Sequence, residues 1–264
     1  MLDSKLIDSI THIAHQAGAA IMDIYQRDFA IYEKSDESPL TEADLAAHNC
    51  IVEGLQAVSD LPILSEESAN IPWSERQTWD KYWLVDPLDG TKEFIKKNGE
   101  FTVNIALIDN GEPVFGVVYA PVLKQTYVGI VGQGAYKLEG DSRTAITPKT
   151  KSDDEEWRVV GSRSHQSPDI QALLAKLGGE PELVAMGSSL KLCLVAEGAA
   201  HLYPRLGPTS EWDTGAADAV VRAAGGKVTI IESAANVFDE HAKPLSYNQK
   251  ESVLNPYFLV SCRS

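Results

Sequence analysis

The chain has 264 residues, a formal net charge of −15, 44% hydrophobic residues and 23% charged residues. That is an ordinary composition for a folded protein, long enough for one large domain or two smaller ones. The acidity argues against binding long nucleic acids or anionic membranes through bulk charge, although bound cations can still recruit a small anionic substrate.

No apolar run approaches the roughly 20 residues of a membrane span. The start, Met1-Leu2-Asp3-Ser4-Lys5, does not read as a signal peptide. Ile7, Ile10, Ala14, Ala17, Ile21 and Ile24 fall at helical spacing, so residues 7–25 read as an amphipathic helix. His12 and His15 within it read as surface or packing residues. A polar loop around Pro39 leads to Thr41-Glu42-Ala43-Asp44, a capping box opening a helix to about Val58. Asp44 suits a first helical turn on the macrodipole alone, and equally suits accepting a hydrogen bond within a site. Residues 61–64 form a short apolar strand ending in Ser65-Glu66-Glu67. Residues 70–80 look irregular. The three cysteines, Cys50, Cys193 and Cys262, are odd in number and far apart, which suggests neither a zinc site nor a disulfide set and fits a reducing cytoplasm.

Tyr82-Trp83-Leu84-Val85 is a buried strand, broken abruptly by Asp86-Pro87-Leu88-Asp89-Gly90-Thr91. Asp-Pro and Asp-Gly are common in plain turns. Two carboxylates at a strand end, next to a hydroxyl and to amides that could open a helix, also suit a hard cation held against a phosphate. A helical turn or two follows over 92–97, then hairpin strands over 101–108, 114–119 and 126–131, with Asn110-Gly111 as a turn. The first half therefore reads as helices on a largely antiparallel sheet. The charged stretch 148–156 is the expected link between halves 1–150 and 151–264. Beyond it, strands at 158–161, 183–185 and 201–203 alternate with helices at 169–177 and 189–198, a second α/β layer. Residues 210–214 open the last strong helix, closed by Gly225-Gly226, with Asp213 at its N-cap or in its first turn. Strands at 228–231 and 258–260 follow.

Three stretches, Leu64-Ser65-Glu66-Glu67, Asp86-Pro87-Leu88-Asp89-Gly90-Thr91 and Trp212-Asp213-Thr214-Gly215-Ala216-Ala217, together resemble the signatures of the inositol monophosphatase-type, lithium-sensitive phosphatases. The run from Asp86 to Ile95, the run from Asn98 to Asn104, Ser162-Arg163-Ser164-His165 and Gly187-Ser188-Ser189-Leu190-Lys191 are most similar to the 3'(2'),5'-bisphosphate nucleotidase branch. Ala196-Glu197-Gly198 and Tyr203-Pro204-Arg205 add to that. One departure is Asp218, where the family pattern has glycine.

The resemblance implies a five-layer αβαβα sandwich, mixed α/β, with Mg²⁺ (two or three ions) at the junction of the halves. It implies metal ligands at Glu67, Asp86, Asp89, Asp213 and the Leu88 carbonyl, of which Glu67 also serves catalysis, and an attacking water positioned by Asp44 and Thr91. Substrate contacts are expected from Glu67, Leu88, Asp89, Gly90, Thr91, His165, Ser188, Lys191, Arg205 and Asp213. The implied substrate is adenosine 3',5'-bisphosphate, yielding AMP and phosphate, with the sulfated nucleotide PAPS second. An inositol monophosphatase or sugar bisphosphatase is the nearest rival, and a non-catalytic nucleotide or metal sensor a second. The implied location is cytoplasmic, with a peripheral place on the inner membrane known among relatives; no anchor is visible here, and oligomeric state is open.

Overall fold

Two helices come first, α1 (Ser4–Tyr25) and α2 (Glu42–Val58), separated by a small ribbon of β1 (Ile31–Glu33) and β2 (Pro39–Thr41). The buried face of α1 carries Ile7, Ile10, Ile13, Ala14, Ala17, Gly18, Ile21 and Ile24, the three-and-four spacing of a single helical stripe. Seven strands then lie side by side in chain order: β3 (Ile63–Ser65), β4 (Lys81–Asp89), β5 (Thr102–Asp109), β6 (Glu112–Ala120), β7 (Gln125–Ile130), β8 (Gly134–Glu139) and β9 (Ser142–Ile146). All neighbours are antiparallel except β3 and β4. Short helices α3 (Trp73–Arg76) and α4 (Thr91–Ile95) sit in connections. The computed structural model describes residues 3–33, 39–161, 168–231, 238–239 and 241–262.

The second half runs β10 (Arg158–Gly161), α5 (Pro168–Leu177), β11 (Glu182–Ala185), α6 (Leu190–Ala196), β12 (Leu202–Arg205), α7 (Glu211–Ala224), β13 (Gly226–Ile230) and β14 (Phe258–Cys262). Its five strands lie in the order β11-β10-β12-β14-β13. They are parallel up to β12 and antiparallel around β14.

Alternation along the strands sets the layers, because successive side chains point to opposite faces. Trp83, Val85, Ile105 and Val117 bury against α1 and α2. Tyr82, Leu84, Ala106 and Val118 bury on the other face against α6 and α7. In the second sheet Val160, Tyr203 and Val260 join that same central core, while Val159, Leu202 and Leu259 face outward onto Leu173 of α5. The result is the five-layer αβαβα sandwich. The halves on either side of residues 148–156 share one central core.

Helix α7 comes unusually close to the first sheet. Gly116 and Gly129 are cross-strand partners on β6 and β7. A Cβ at Gly116 would lie 2.1 Å from the Ala216 carbonyl oxygen, and one at Gly129 would lie 2.4 Å from Val220 Cα. The paired glycines thus form a seat that fixes the helix bearing Asp213. The irregular stretch before β4 is pinned by Arg76, which is 4% exposed. Its guanidinium donates to Asn248 Oδ1 at 2.9 Å and to the Glu251 carbonyl at 2.7 Å. No helix among the described residues is long and apolar enough to cross a membrane.

Candidate active site

Asp86 and Asp89 are three residues apart, and on a regular strand they would point to opposite faces. The strand does not stop at Asp86, as the turn dipeptides suggest; β4 continues to Asp89 with an irregularity. Asp86 pairs with Asn104 and Asp89 with Thr102, so three steps on β4 face two on β5. That extra residue is a β-bulge at Pro87-Leu88, and it turns both carboxylates to one side. Pro87 suits the bulge because it has no amide to offer the ladder. The Leu88 side chain is 1% exposed in the core, while its amide donates to Asp86 Oδ1 at 3.1 Å.

The other acids arrive on helix starts. Asp213 occupies the third position of α7, where its Oδ2 accepts the Ser210 amide at 2.9 Å. Asp44 holds the equivalent place in α2, its Oδ2 accepting from the Thr41 amide at 2.7 Å and the Thr41 hydroxyl at 2.6 Å. Its other oxygen, Oδ1, accepts from the Thr91 hydroxyl at 3.2 Å. Capping and site-building are therefore the same contact set: the cap fixes the rotamer with one oxygen and leaves the second for chemistry. Thr91 Oγ1 also lies 3.4 Å from the Leu88 carbonyl.

Oxygens of Asp86, Asp89 and Asp213 lie within 4.8 Å of one another. Burial, and the charges of Glu66, Asp89 and Asp213, push the Asp86 carboxyl well above the usual range. Burial raises Asp89 to about 6 against the opposing pull of Lys191 and the Ser189 amide. Burial and the Asp89 charge raise Asp213 to about 8, with Arg205 opposing. These acids resist ionising together unless positive charge joins them. Three hard oxygen donors at this spacing fit a divalent cation of the Mg²⁺ type, so the residues present match the donor set such an ion requires.

Of the two glutamates, Glu66 joins this cluster. It shares a hydrogen bond with Asp86 and borders the cleft. Glu67, the ligand expected from the resemblance, follows it in the same short turn and is not in the lining of this cleft. The reason is local: β3 ends at Ser65 and a 3₁₀ turn, Glu66–Ser68, starts at once. Strand alternation no longer decides which side chain faces the site.

The cleft, of about 410 Å³, is walled by Glu66, Asp89, Gly90, Thr91 and Asp213, with Trp212, Thr209 and Leu254 on the far side. Gly90 adopts φ 96°, a left-handed turn that a side chain would strain. Behind Asp89, Ser189 donates its amide to Oδ2 and its hydroxyl to Asn104 Oδ1, the latter at 2.8 Å. Ser188 also has left-handed geometry, φ 46°, and is 8% exposed. Arg205 donates to the Pro208 carbonyl at 2.8 Å. His165 lies outside the described residues.

A family model described as the inositol monophosphatase family matches residues 3–257. The chain belongs to the inositol monophosphatase family. Within it, the 3'(2'),5'-bisphosphate nucleotidase CysQ of Escherichia coli strain K12 is 49% identical over 97% of this chain and 99% of its own length. The protein of the same name from Haemophilus influenzae is 37% identical over 98% of this chain and 93% of its own. The crystal structure of CysQ from Bacteroides thetaiotaomicron matches with a TM-score of 0.83 at 42% identity, covering 98% of both chains. Asp218, further along α7, is fully buried. Arg222 Nε and Nη2 donate to its two oxygens at 2.7 and 2.9 Å, and the Tyr247 hydroxyl donates at 2.8 Å.

Sequence reasoning passed over Glu93, whose charge reaches Asp89, and the wall residues Thr209 and Leu254. Glu93 lies on α4 inside the quoted Asp86–Ile95 run, where no role was assigned to it, whereas Thr209 and Leu254 sit in connections with no periodic or motif signal. Ser189 and Asn104 fall inside quoted motifs, and only the structure reveals that they brace Asp89.

Proposed function

We propose that this chain is a Mg²⁺-dependent 3'(2'),5'-bisphosphate nucleotidase. It removes the 3'-phosphate of adenosine 3',5'-bisphosphate to give AMP and phosphate, and takes PAPS as a second substrate. The convergence of Asp86, Asp89 and Asp213 within 4.8 Å, beside the Thr91–Asp44 hydrogen bond, carries the reaction class. The relatives named bisphosphate nucleotidases, at 49% and 37% identity, support the substrate.

Glu66, Asp86, Asp89, Asp213 and the Leu88 carbonyl would hold two or three Mg²⁺ ions. Bound there, the ions supply positive charge to the phosphoryl oxygens and make water easier to deprotonate. Thr91 donates to Asp44, which leaves an Oγ1 lone pair to accept a hydrogen bond from the incoming water and align it. Asp44 is held in turn by Thr41, so the pair is oriented before substrate arrives. The Gly90 and Thr91 amides donate to phosphate oxygens. Lys191 and Arg205 hold the phosphate that is not cleaved, Arg205 as a two-pronged donor. Ser188 and His165 contact the nucleotide.

Phosphate release from adenosine 3',5'-bisphosphate, inositol 1-phosphate and fructose 1,6-bisphosphate, with Mg²⁺ and then with added lithium, tests this reading. The nucleotide should turn over fastest, with no release in EDTA and inhibition by lithium. Faster release from either of the others would replace the substrate assignment. Lys191→Ala should raise KM about tenfold for the bisphosphate and less for a nucleoside monophosphate; equal increases would remove Lys191 from the distal phosphate.

A further inference from the structure

A second cavity, of about 250 Å³, lies on the outer face of the five-stranded sheet. The carboxylate cluster, which includes Asp213 on α7, lies on the opposite side of this sheet. The registers Lys227↔Ser261, Thr229↔Leu259 and Leu202↔Ser261 place these five side chains on one face, which forms the floor. Lys149, Lys151, Trp157, His201, Phe238 and Asp239 surround this floor. Trp157 and Phe238 have ring centroids 6.1 Å apart at 31°, a nearly continuous aromatic surface. Phe238 is 56% exposed although it is large and apolar.

The chemistry of the lining is uneven. Three ammonium groups and one carboxylate border the cavity, on a chain whose net charge is −15. Lys149 is engaged by Glu155 at 2.8 Å, and Lys151 lies 5.8 Å from the Trp157 ring centroid. His201 is 2% exposed and both of its ring nitrogens are engaged, Nδ1 by the Arg158 amide and Nε2 by Arg158 and Glu155, so it adds bulk rather than a free donor to the lining. On the floor, Ser261 is only 7% exposed, and its hydroxyl has no hydrogen-bond partner among the described residues. A buried hydroxyl without a partner costs stability unless something else satisfies it.

We propose that this cavity binds a planar aromatic anion, its ring stacked on the Trp157–Phe238 wall and its anionic group held by Lys151, Lys227 and the Ser261 hydroxyl. The volume falls below the roughly 300–1,000 Å³ typical of drug-sized ligands, which favours a one- or two-ring molecule with a single acidic group. Aromatic stacking and charge-assisted donors would act together there.

Naphthalene-2-sulfonate is the probe, because a phosphatase does not hydrolyse it. Titration into the ¹⁵N-labelled full chain should shift the Trp157 indole resonance, assigned by Trp157→Phe, to saturation. Lys151→Ala/Lys227→Ala should weaken Kd at least about tenfold with an unchanged melting temperature. 2-Naphthylmethylammonium, with the same ring and opposite charge, should leave Trp157 unmoved. This cationic probe needs no variant, so the test survives if the double variant folds poorly. No saturable shift with the sulfonate, an unchanged Kd in a folded double variant, or equal binding of the cation would each overturn the proposal.

Discussion

Asp213 and Asp218 sit five residues apart on α7, the first half-buried at the cleft and the second fully buried, in opposite electrostatic company. Asp218 meets two guanidinium nitrogens and a phenol, so its counter-charge is built into the chain. Asp213 meets Asp89 and Glu66, and no cation is bonded to it in the chain's own hydrogen-bond set among the described residues. One helix therefore carries a finished ion pair next to an unfinished one. A buried acid alone does not mark a site. Acids that converge while their counter-charge is left to a ligand do.

Exchanging the two roles is the most direct way to break this comparison. Asp213→Asn should lower kcat/KM for adenosine 3',5'-bisphosphate by about a thousandfold, on the order of losing a principal charge-stabilising group. The metal-free protein should melt no lower than the parent, because a source of repulsion has gone. Asp218→Ala should do the reverse. It strands Arg222 and should cost about 3 kcal/mol of stability, the lower end for a broken buried pair, since Arg222 keeps Glu112 and the Leu245 carbonyl. The fraction still folded should keep most of its kcat. Denaturant melts and steady-state kinetics on both variants decide; a destabilised Asp213→Asn with ordinary turnover would reverse the roles assigned to the two acids.

A smaller effect sharpens the boundary of the unfinished group. Glu66→Gln should lower kcat/KM about ten- to a hundredfold and weaken Mg²⁺ activation, whereas Glu67→Gln should change it less than about threefold. If Glu67 proved the more damaging, the choice between the adjacent acids would return to the one read from sequence.

That pair also locates the limit of the sequence. The helices, most strands and the final fold class are legible because their periods, caps and turn residues are local: the α1 stripe, the Thr41–Asp44 box and Asn110-Gly111 all reappear. The partnership of Asp44 with Thr91 was legible through resemblance. Three features were not. The bulge at Pro87-Leu88 depends on how β5 pairs with β4, which no window on β4 contains. The Glu66 orientation depends on a 3₁₀ turn replacing a strand within one residue. Strand β9 is exposed along most of its length and β8 is largely half-buried, and both carry little apolar alternation to announce them. Register and turn geometry are settled by long-range contacts, so the chemistry of the site was easier to read than its aim.

The most delicate test lies in pH. In the folded, metal-free protein Asp213 stays protonated up to about 8 and Asp89 up to about 6, whereas both have ordinary values near 3.8 when the chain is unfolded. Between those limits the folded state binds more protons than the unfolded one, so stability falls as pH rises. The contribution is fully present below the ordinary carboxylate range, and it is lost through the folded values. Bound Mg²⁺ would hold the ionised form, so its binding should expel protons and strengthen over the same interval. Calorimetry in EDTA should therefore give a melting temperature that drops from pH 5 to 8, while saturating Mg²⁺ flattens the curve. At roughly 2–4 °C per kcal/mol for a chain of this size, the gap between the curves should widen by several degrees. Asp213→Asn should narrow that widening, and Asp218→Asn should not, because the Asp218 counter-charge is already in place. A gap that stays constant with pH, or widens as much in Asp213→Asn as in the parent, would mean that the acids are neutralised by something other than a bound cation.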